Sequence, residues 1–349
     1  MLQSKKKPYK AIDVAKLLAA TLIIMLHTEP FADISPQLQW YLRSVVAIVA
    51  VPFFFIASGF LLFASSPDMP YGELIKKYKT RALRIIKMYL LWSLIYFVFV
   101  AIDWAQNGVT VLDILQYIKR FFFEGSYHTI WFLPALAVGL GIVVLLKRFL
   151  SVKAIFAVGM FVYIFTICGT ALYGFFGKLP IIGDAYSAYY SFFDSMKNGF
   201  FVGFPYISMG AIIATKKEAK QNSVGMWTIL SAVFFTAMSA EAFLEAKLSL
   251  STGGVDNCIM LAPMSYCLFN FVLSIKAERF SDKLCKKLRT LSILMFLSQR
   301  IFITIGRYLS LDTRLNSLVW MILIFSLTVL FSEAIIKLSE KVSFLKILY

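Results

Sequence analysis

Residues 11–30 read AIDVAKLLAATLIIMLHTEP, an apolar run of membrane-crossing length that carries Lys16 and His27. A helix needs about 20 residues to cross the hydrocarbon core. The step from Lys16 to His27, at about 100° per residue, falls within about 20° of three full turns. The two side chains therefore share one helix face, roughly 16 Å apart along the axis. Ionisable groups at two depths of a membrane helix are costly to keep, which makes the pair a functional candidate. The plainer readings are a lysine snorkelling to the headgroups and a histidine held by structural hydrogen bonds.

Nine further stretches repeat the pattern. Candidate spans are 12–31, 45–64, 85–103, 130–146, 154–173, 199–214, 226–243, 258–275, 291–309 and 317–337. The chain is 60% hydrophobic and 15% charged, with a mean hydropathy of +0.77. A soluble domain carries about 25% charged residues. No Ser/Gly/Pro-rich linker marks a boundary, so residues 1–349 are expected to form a single domain, an all-α integral membrane bundle of about ten transmembrane helices. Lys16 interrupts the first run and no small-residue cleavage site follows it, so this span is expected to stay in the mature protein rather than leave as a signal peptide.

A net charge of +16 would suggest nucleic acid in a soluble protein. Here its placement gives another meaning. With Lys5, Lys6, Lys7 and Lys10 on the cytoplasmic side, alternate loops (65–87, 147–153, 215–224, 276–290) and the C-terminal tail hold most of the 35 lysines and arginines. This asymmetry orients both termini toward the cytoplasm of a plasma membrane and predicts affinity for anionic lipid, with no nucleic-acid partner. Cys168, Cys258, Cys267 and Cys285 lack metal-ligand spacing, so no metal and no disulfide framework is expected.

Other polar residues stand out by depth. Asp13 lies one turn from Lys16 and is expected to pair with it. His128 opens the fourth span on His27's side and reads as structural or substrate-positioning. Arg300 lies inside span nine and cannot shed its proton. Glu241, Arg307 and Glu333 read as interfacial. Lys76, Lys77, Lys79, Arg81, Arg84 and Lys87 form a basic run into span three, a topology signal whose arginines could also hold phosphates. Pro52, Ser58 and Gly59 inside span two read alone as helix packing, and Trp131 to Pro134 as an interfacial aromatic before a helix start. Gly199 and Gly203 make one GxxxG. No P-loop, HExxH, GxSxG or HxxxxD pattern is present.

Taken in order, these pieces resemble the membrane acyltransferase-3 family, whose multi-spanning members acylate cell-surface and secreted molecules. Lys16, ten residues and His27 are similar to the family's Arg/Lys-x10-His first helix. Val51 to Phe60 resembles its proline, aromatic run and Ser-Gly-Phe, Arg81 to Arg84 its basic approach to helix three, and Trp131-Phe132-Leu133 its Trp-Phe-Leu element. His27 to Pro30 and the Val-Pro-Phe-Phe-Phe run look most like the membrane domain of vancomycin-resistance serine racemases. Lys16 stands where arginine is commoner, and Gln299 ends Ser292 to Gln299 where many members have histidine. No racemase domain follows the last span, so no pyridoxal phosphate is expected to be held by these residues.

The resemblance implies transfer of an acyl group, most simply acetyl, from cytosolic acyl-CoA to a hydroxyl or amine of a cell-envelope glycan or small-molecule acceptor. It implies His27 as general base, with Lys16, Glu29 and Ser58 in the catalytic set. The donor's phosphates would rest on Arg81, Arg84 and Lys16, and the acceptor near Trp131, His128 and Arg300. Glu29 could orient the imidazole if the helix breaks at Pro30. A rival reading is a transporter of a small polar solute such as L-serine, with Lys16, His27, Ser58 and Arg300 along its path. A third is a sensor or assembly subunit without turnover.

Overall fold

A computed structural model describes residues 9–64, 69–215, 224–248, 250 and 257–349. Lys5, Lys6 and Lys7, and most of the 215–224 loop, lie outside the described residues. Helix accounts for 83% of the described residues, and there is no strand among them.

Among the described residues, eight helices are long and apolar enough to cross a membrane: α1 (Lys10–Thr28), α2 (Pro36–Phe63), α3 (Tyr71–Asn107), α5 (His128–Leu146), α6 (Val152–Gly169), α9 (Val224–Leu248), α11 (Asp282–Tyr308) and α12 (Ser317–Lys341). Between them lie the shorter apolar α8 (Gly199–Thr215) and α10 (Leu261–Ser274), where the sequence predicts spans of ordinary length. Two helices fall in regions that the hydropathy pattern leaves as loops, α4 (Val111–Phe123) and α7 (Ile182–Phe192). At α4, Thr110 and Asp113 form a reciprocal capping box, which satisfies N–H groups that a helix start otherwise leaves open. Val111, Leu112, Leu115, Ile118 and Phe122 make an exposed apolar stripe along it.

Helix direction follows from contacts at both ends. Lys10 reaches Asp282 (2.8 Å) and the Phe280 carbonyl (2.7 Å), so α1 and α11 begin together and run parallel. Tyr9 packs edge-on against Phe60 (4.9 Å) while Arg43 meets Glu29 (3.3 Å), so α1 and α2 run antiparallel. α12 returns along α11, with Lys287 on Glu333 at 2.7 Å. Glu333 is thus an ion-paired residue. The end of α12 lies beside the start of α1 and α11, and the last turn, Ser343–Leu348, folds back so that the Trp92 indole N–H donates to the Leu348 carbonyl (3.1 Å).

Glycine sets the closest approach in the bundle. A Cβ at Gly59 would fall on the backbone carbonyl of Ile207, and one at Gly210 on that of Ile56. α2 and α8 therefore touch backbone to backbone, the small-residue packing by which helices associate in lipid. Gly199 and Gly203 serve the same purpose against α5, each with Ala135 O 2.8 Å from its missing Cβ.

At the opposite end, the turn after α1 is tied to the start of α12. Asp33 accepts the Ser317 N–H at 2.9 Å and also the Ser317 hydroxyl, which in turn reaches the Pro30 carbonyl at 2.8 Å. The side-chain and backbone bonds from Ser317 hold the Asp33 carboxyl below its ordinary value of 3.8. A depressed carboxyl adds stability above its unfolded value and loses it as pH falls through the folded one. Asp33→Ala is therefore expected to lower the melting temperature at pH 7, with the gap closing below about pH 3.8. Melting both proteins in detergent across pH 3–7 checks this, and a gap independent of pH would refute it.

Candidate functional site

The two marked residues of α1 sit in different surroundings. Lys16 is 9% exposed and has Asp13, Arg289 and Arg81 as its charged neighbours. The expected Asp13–Lys16 pair is not what forms. Asp13, itself buried, accepts two bonds from Arg289, Nε to Oδ1 at 2.8 Å and an Nη to Oδ2 at 2.7 Å. The guanidinium fork matches both carboxylate oxygens at once, which a lysine point charge cannot do. Lys16 is left without an ion pair among the described residues.

Arg289→Ala would strand the buried Asp13 carboxylate, and a buried group left unsatisfied costs about 1–3 kcal/mol. Removing Asp13 as well takes away the stranded charge. The double variant Asp13→Ala/Arg289→Ala is expected to melt above Arg289→Ala alone, and additive losses would contradict the pairing.

Arg81 donates to the Leu61 carbonyl at 2.8 Å, and Lys77 donates to that of Leu62. Both carbonyls belong to the last turn of α2, whose final C=O groups have no partner within the helix. Part of the basic run is therefore a C-terminal cap. Arg81 still lies in Lys16's electrostatic range, whereas Arg84 is exposed near Leu83 and Ile86 on the outer surface of α3. The structure brings Lys16 and Arg81 together and leaves Arg84 apart.

α1 ends at Thr28, and Glu29 takes a left-handed conformation (φ 50°) with its N–H on the Met25 carbonyl. The break that Pro30 suggests is present, yet the Glu29 carboxylate turns to Arg43 rather than to His27. Around His27 lie Arg300, His128, Lys197 and Arg43, with no carboxylate among these charged neighbours. His128, exposed, begins the first turn of α5 and packs edge-on against Tyr127 at 4.8 Å. Trp131 closes that turn and faces Phe55 at 6.2 Å. Gly125 just upstream is at φ 95°, where an added Cβ would strike the Trp131 backbone.

Ser58 is elsewhere. Because α1 and α2 are antiparallel, Ser58 lies level with the start of α1, roughly 20 Å from His27 along the bundle. Its hydroxyl donates to the Phe54 carbonyl at 2.8 Å. Between the two levels, Phe54, Phe132 and Phe296 form a ring layer with centroids 5.2–6.0 Å apart. Gln299, fully buried, donates to the Phe296 carbonyl at 3.2 Å.

Above that layer, three consecutive residues of α11 each leave a buried polar atom without a partner: Ser298 Oγ, Gln299 Oε1 and Arg300 Nε. Thr129 Oγ1 is a fourth. Buried polar atoms are almost always hydrogen-bonded, so each of these orphans marks a place that water or a ligand atom can fill. Tyr96 and Tyr127 stack at 4.6 Å beside Arg300, the first donating to the Leu297 carbonyl (2.5 Å) and the second bonded to Thr304 (3.0 Å). Neither tyrosine nor Thr129 is marked by sequence pattern. They reach the site only because α11 packs on the turn at residues 128–131 and on α3.

A model described as an acyltransferase domain, of the acyltransferase-3 type, covers residues 9–337. The chain belongs to the acyltransferase-3 family. Relatives include an amino-acid racemase of Enterococcus faecalis, 28% identical over 343 residues, covering 95% of this chain and 46% of the relative. A second amino-acid racemase of Enterococcus faecalis is 26% identical over 83% of the chain and 38% of the relative, and a serine/alanine racemase of Enterococcus gallinarum is 24% identical over 61% and 30%. The chain spans less than half the length of these relatives, which carry this acyltransferase-3 membrane domain. No solved structure matches it.

Proposed function

We propose that this acyltransferase-3 protein moves an acyl group, most simply acetyl, from cytosolic acyl-CoA to a hydroxyl or amine of an extracytoplasmic acceptor. The observation that carries the reading is the split site on α1: a buried lysine beside Arg81 at one level and His27 roughly 16 Å away, past a layer of three phenylalanines. In this reading α8 and α10 complete ten crossings, and both termini are cytoplasmic in the plasma membrane.

Lys16 and Arg81 hold the donor's phosphates at the inner end, Arg81 with those N–H groups not committed to Leu61. Arg84 contributes through anionic lipid rather than through direct contact. The donor's flexible arm extends past Phe54, Phe132 and Phe296 toward His27. His27 takes the proton from the acceptor as its oxygen or nitrogen attacks the thioester carbonyl; the new acyl bond forms, the C–S bond breaks and the CoA thiolate leaves with a proton. The Trp131 indole N–H is the donor for the developing oxyanion, since Ser58 is too far away. Glu29 acts by fixing Arg43 at the mouth, and His128 by lining it.

A transport reading rests on a different observation: the relatives are racemases of amino acids, small polar solutes that such a membrane domain could carry. One experiment separates the two. Purified protein in lipid nanodiscs is given acetyl-CoA labelled in the acetyl group together with cell-envelope extract. Label appearing in a non-protein acceptor supports the transferase. No transfer from any acyl-CoA by folded protein, with saturable serine uptake in proteoliposomes, supports the transporter.

A further inference from the structure

Three of the cations near the outer site are matched by counter-ions. Arg43 meets Glu29 at 3.3 Å, Arg307 meets Asp312 at 3.6 Å, and Arg120 meets Asp194 at 2.8 Å. Lys197 also has a partner. Arg300 has none among the described residues, and its Nε is buried without any acceptor. Its charged and ionisable neighbours are Arg307 and the phenols of Tyr96 and Tyr127, both hydroxyls already engaged. His27 and His128, which feel Arg300 most among charged groups, can add positive charge but never negative.

A guanidinium keeps its proton in any protein setting, so it cannot escape burial by becoming neutral. Arg300 is half-buried, with a buried Nε and no counter-ion among the described residues, so beside two imidazoles it is a cation whose partner the protein does not supply. A guanidinium carries paired N–H donors spaced for two oxygens of one anion. We propose that the outer site takes a ligand bearing an oxyanion, a carboxylate or a phosphate, which pairs with Arg300 while the ligand's hydroxyl or amine faces His27. The second half rests on the reading of His27 as the ligand-facing base; the pairing with Arg300 does not. The oxyanion can belong to a small solute or to a lipid headgroup.

The test is melting of purified protein in dodecyl maltoside, which offers no anion, with matched probes: glycerol, glycerate and glycerol 3-phosphate, and serinol against serine. Phosphatidylglycerol is the separate lipid arm. Wild-type protein is expected to be stabilised by the anionic members alone, with apparent affinity falling about tenfold or more in Arg300→Gln and partly kept in Arg300→Lys. Arg307→Gln should bind as wild type. Stabilisation by the solutes identifies a soluble ligand, and stabilisation by phosphatidylglycerol alone identifies a headgroup. Ligand-free Arg300→Gln is expected to melt no lower than wild type, because it loses an uncompensated charge and no ion pair.

A clear drop in the melting temperature of ligand-free Arg300→Gln would make Arg300 a structural residue and overturn the proposal. So would equal stabilisation by glycerol and glycerate, no stabilisation by any anion, or anion binding that survives in Arg300→Gln. Acetyl transfer that persists in Arg300→Gln would sink this inference and leave the transferase standing. Anion binding lost in Arg300→Gln without any transfer by wild type would do the reverse.

Discussion

Gly210→Val is expected to leave almost no folded protein. The added Cβ would lie 2.1 Å from the Ile56 carbonyl oxygen and 2.6 Å from the Phe60 amide nitrogen. Neither obstacle is the end of a flexible side chain. Both are backbone of α2, whose Phe55, Ile56, Ala57 and Phe60 are buried, so the helix cannot shift without opening the core. Overpacking a core that can adjust costs about 1–3 kcal/mol, and this site cannot adjust. Gly59→Val meets the Ile207 backbone on the reciprocal side and should fail alike. Fluorescence-detected size exclusion of the two variants beside wild type measures the folded fraction. A monodisperse Gly210→Val with wild-type melting would mean that α2 and α8 do not cross as described.

His27→Ala is expected to reduce acyl transfer by about 100- to 10,000-fold while melting near wild type, the range that removal of a positioned general base produces. His27 is only partly buried, and no hydrogen bond from the protein engages its ring among the described residues. Its truncation therefore breaks no structural network, and loss of turnover in a folded protein is attributable to proton transfer. Added imidazole should restore part of the rate in His27→Ala by supplying the missing base. Full activity in His27→Ala would remove this residue from the chemistry and assign the general base to another group.

Several features of the site were legible in advance because they depend on local sequence. The helix break after His27 is written in Pro30, and Glu29 does adopt the capping conformation that the break requires. The glycines of α2 and α8 mark close packing by their lack of a side chain, and they are where backbones meet. What could not be read was partnership. Asp13 and Lys16, one turn apart, looked like a pair until Arg289, 276 residues away, offered a two-pronged match. Arg81 looked like a phosphate ligand and also closes the end of α2. The hydropathy signal gave α8 and α10 the same weight as the longer spans, although the helices are shorter.

The sequence by itself determined that the chain is helical and membrane-embedded, and that Lys16 and His27 occupy one face at two depths. Hydropathy and the helical repeat are properties of neighbouring residues and need no tertiary context. Only the tertiary structure decided which polar groups share a level: Ser58 far from His27, His128 and Arg300 near it, and Arg300 without a counter-ion among the described residues. Those relations depend on helix direction and on which helices touch. Backbone contacts at Gly59 and Gly210, and ion pairs between residues distant in sequence, set them.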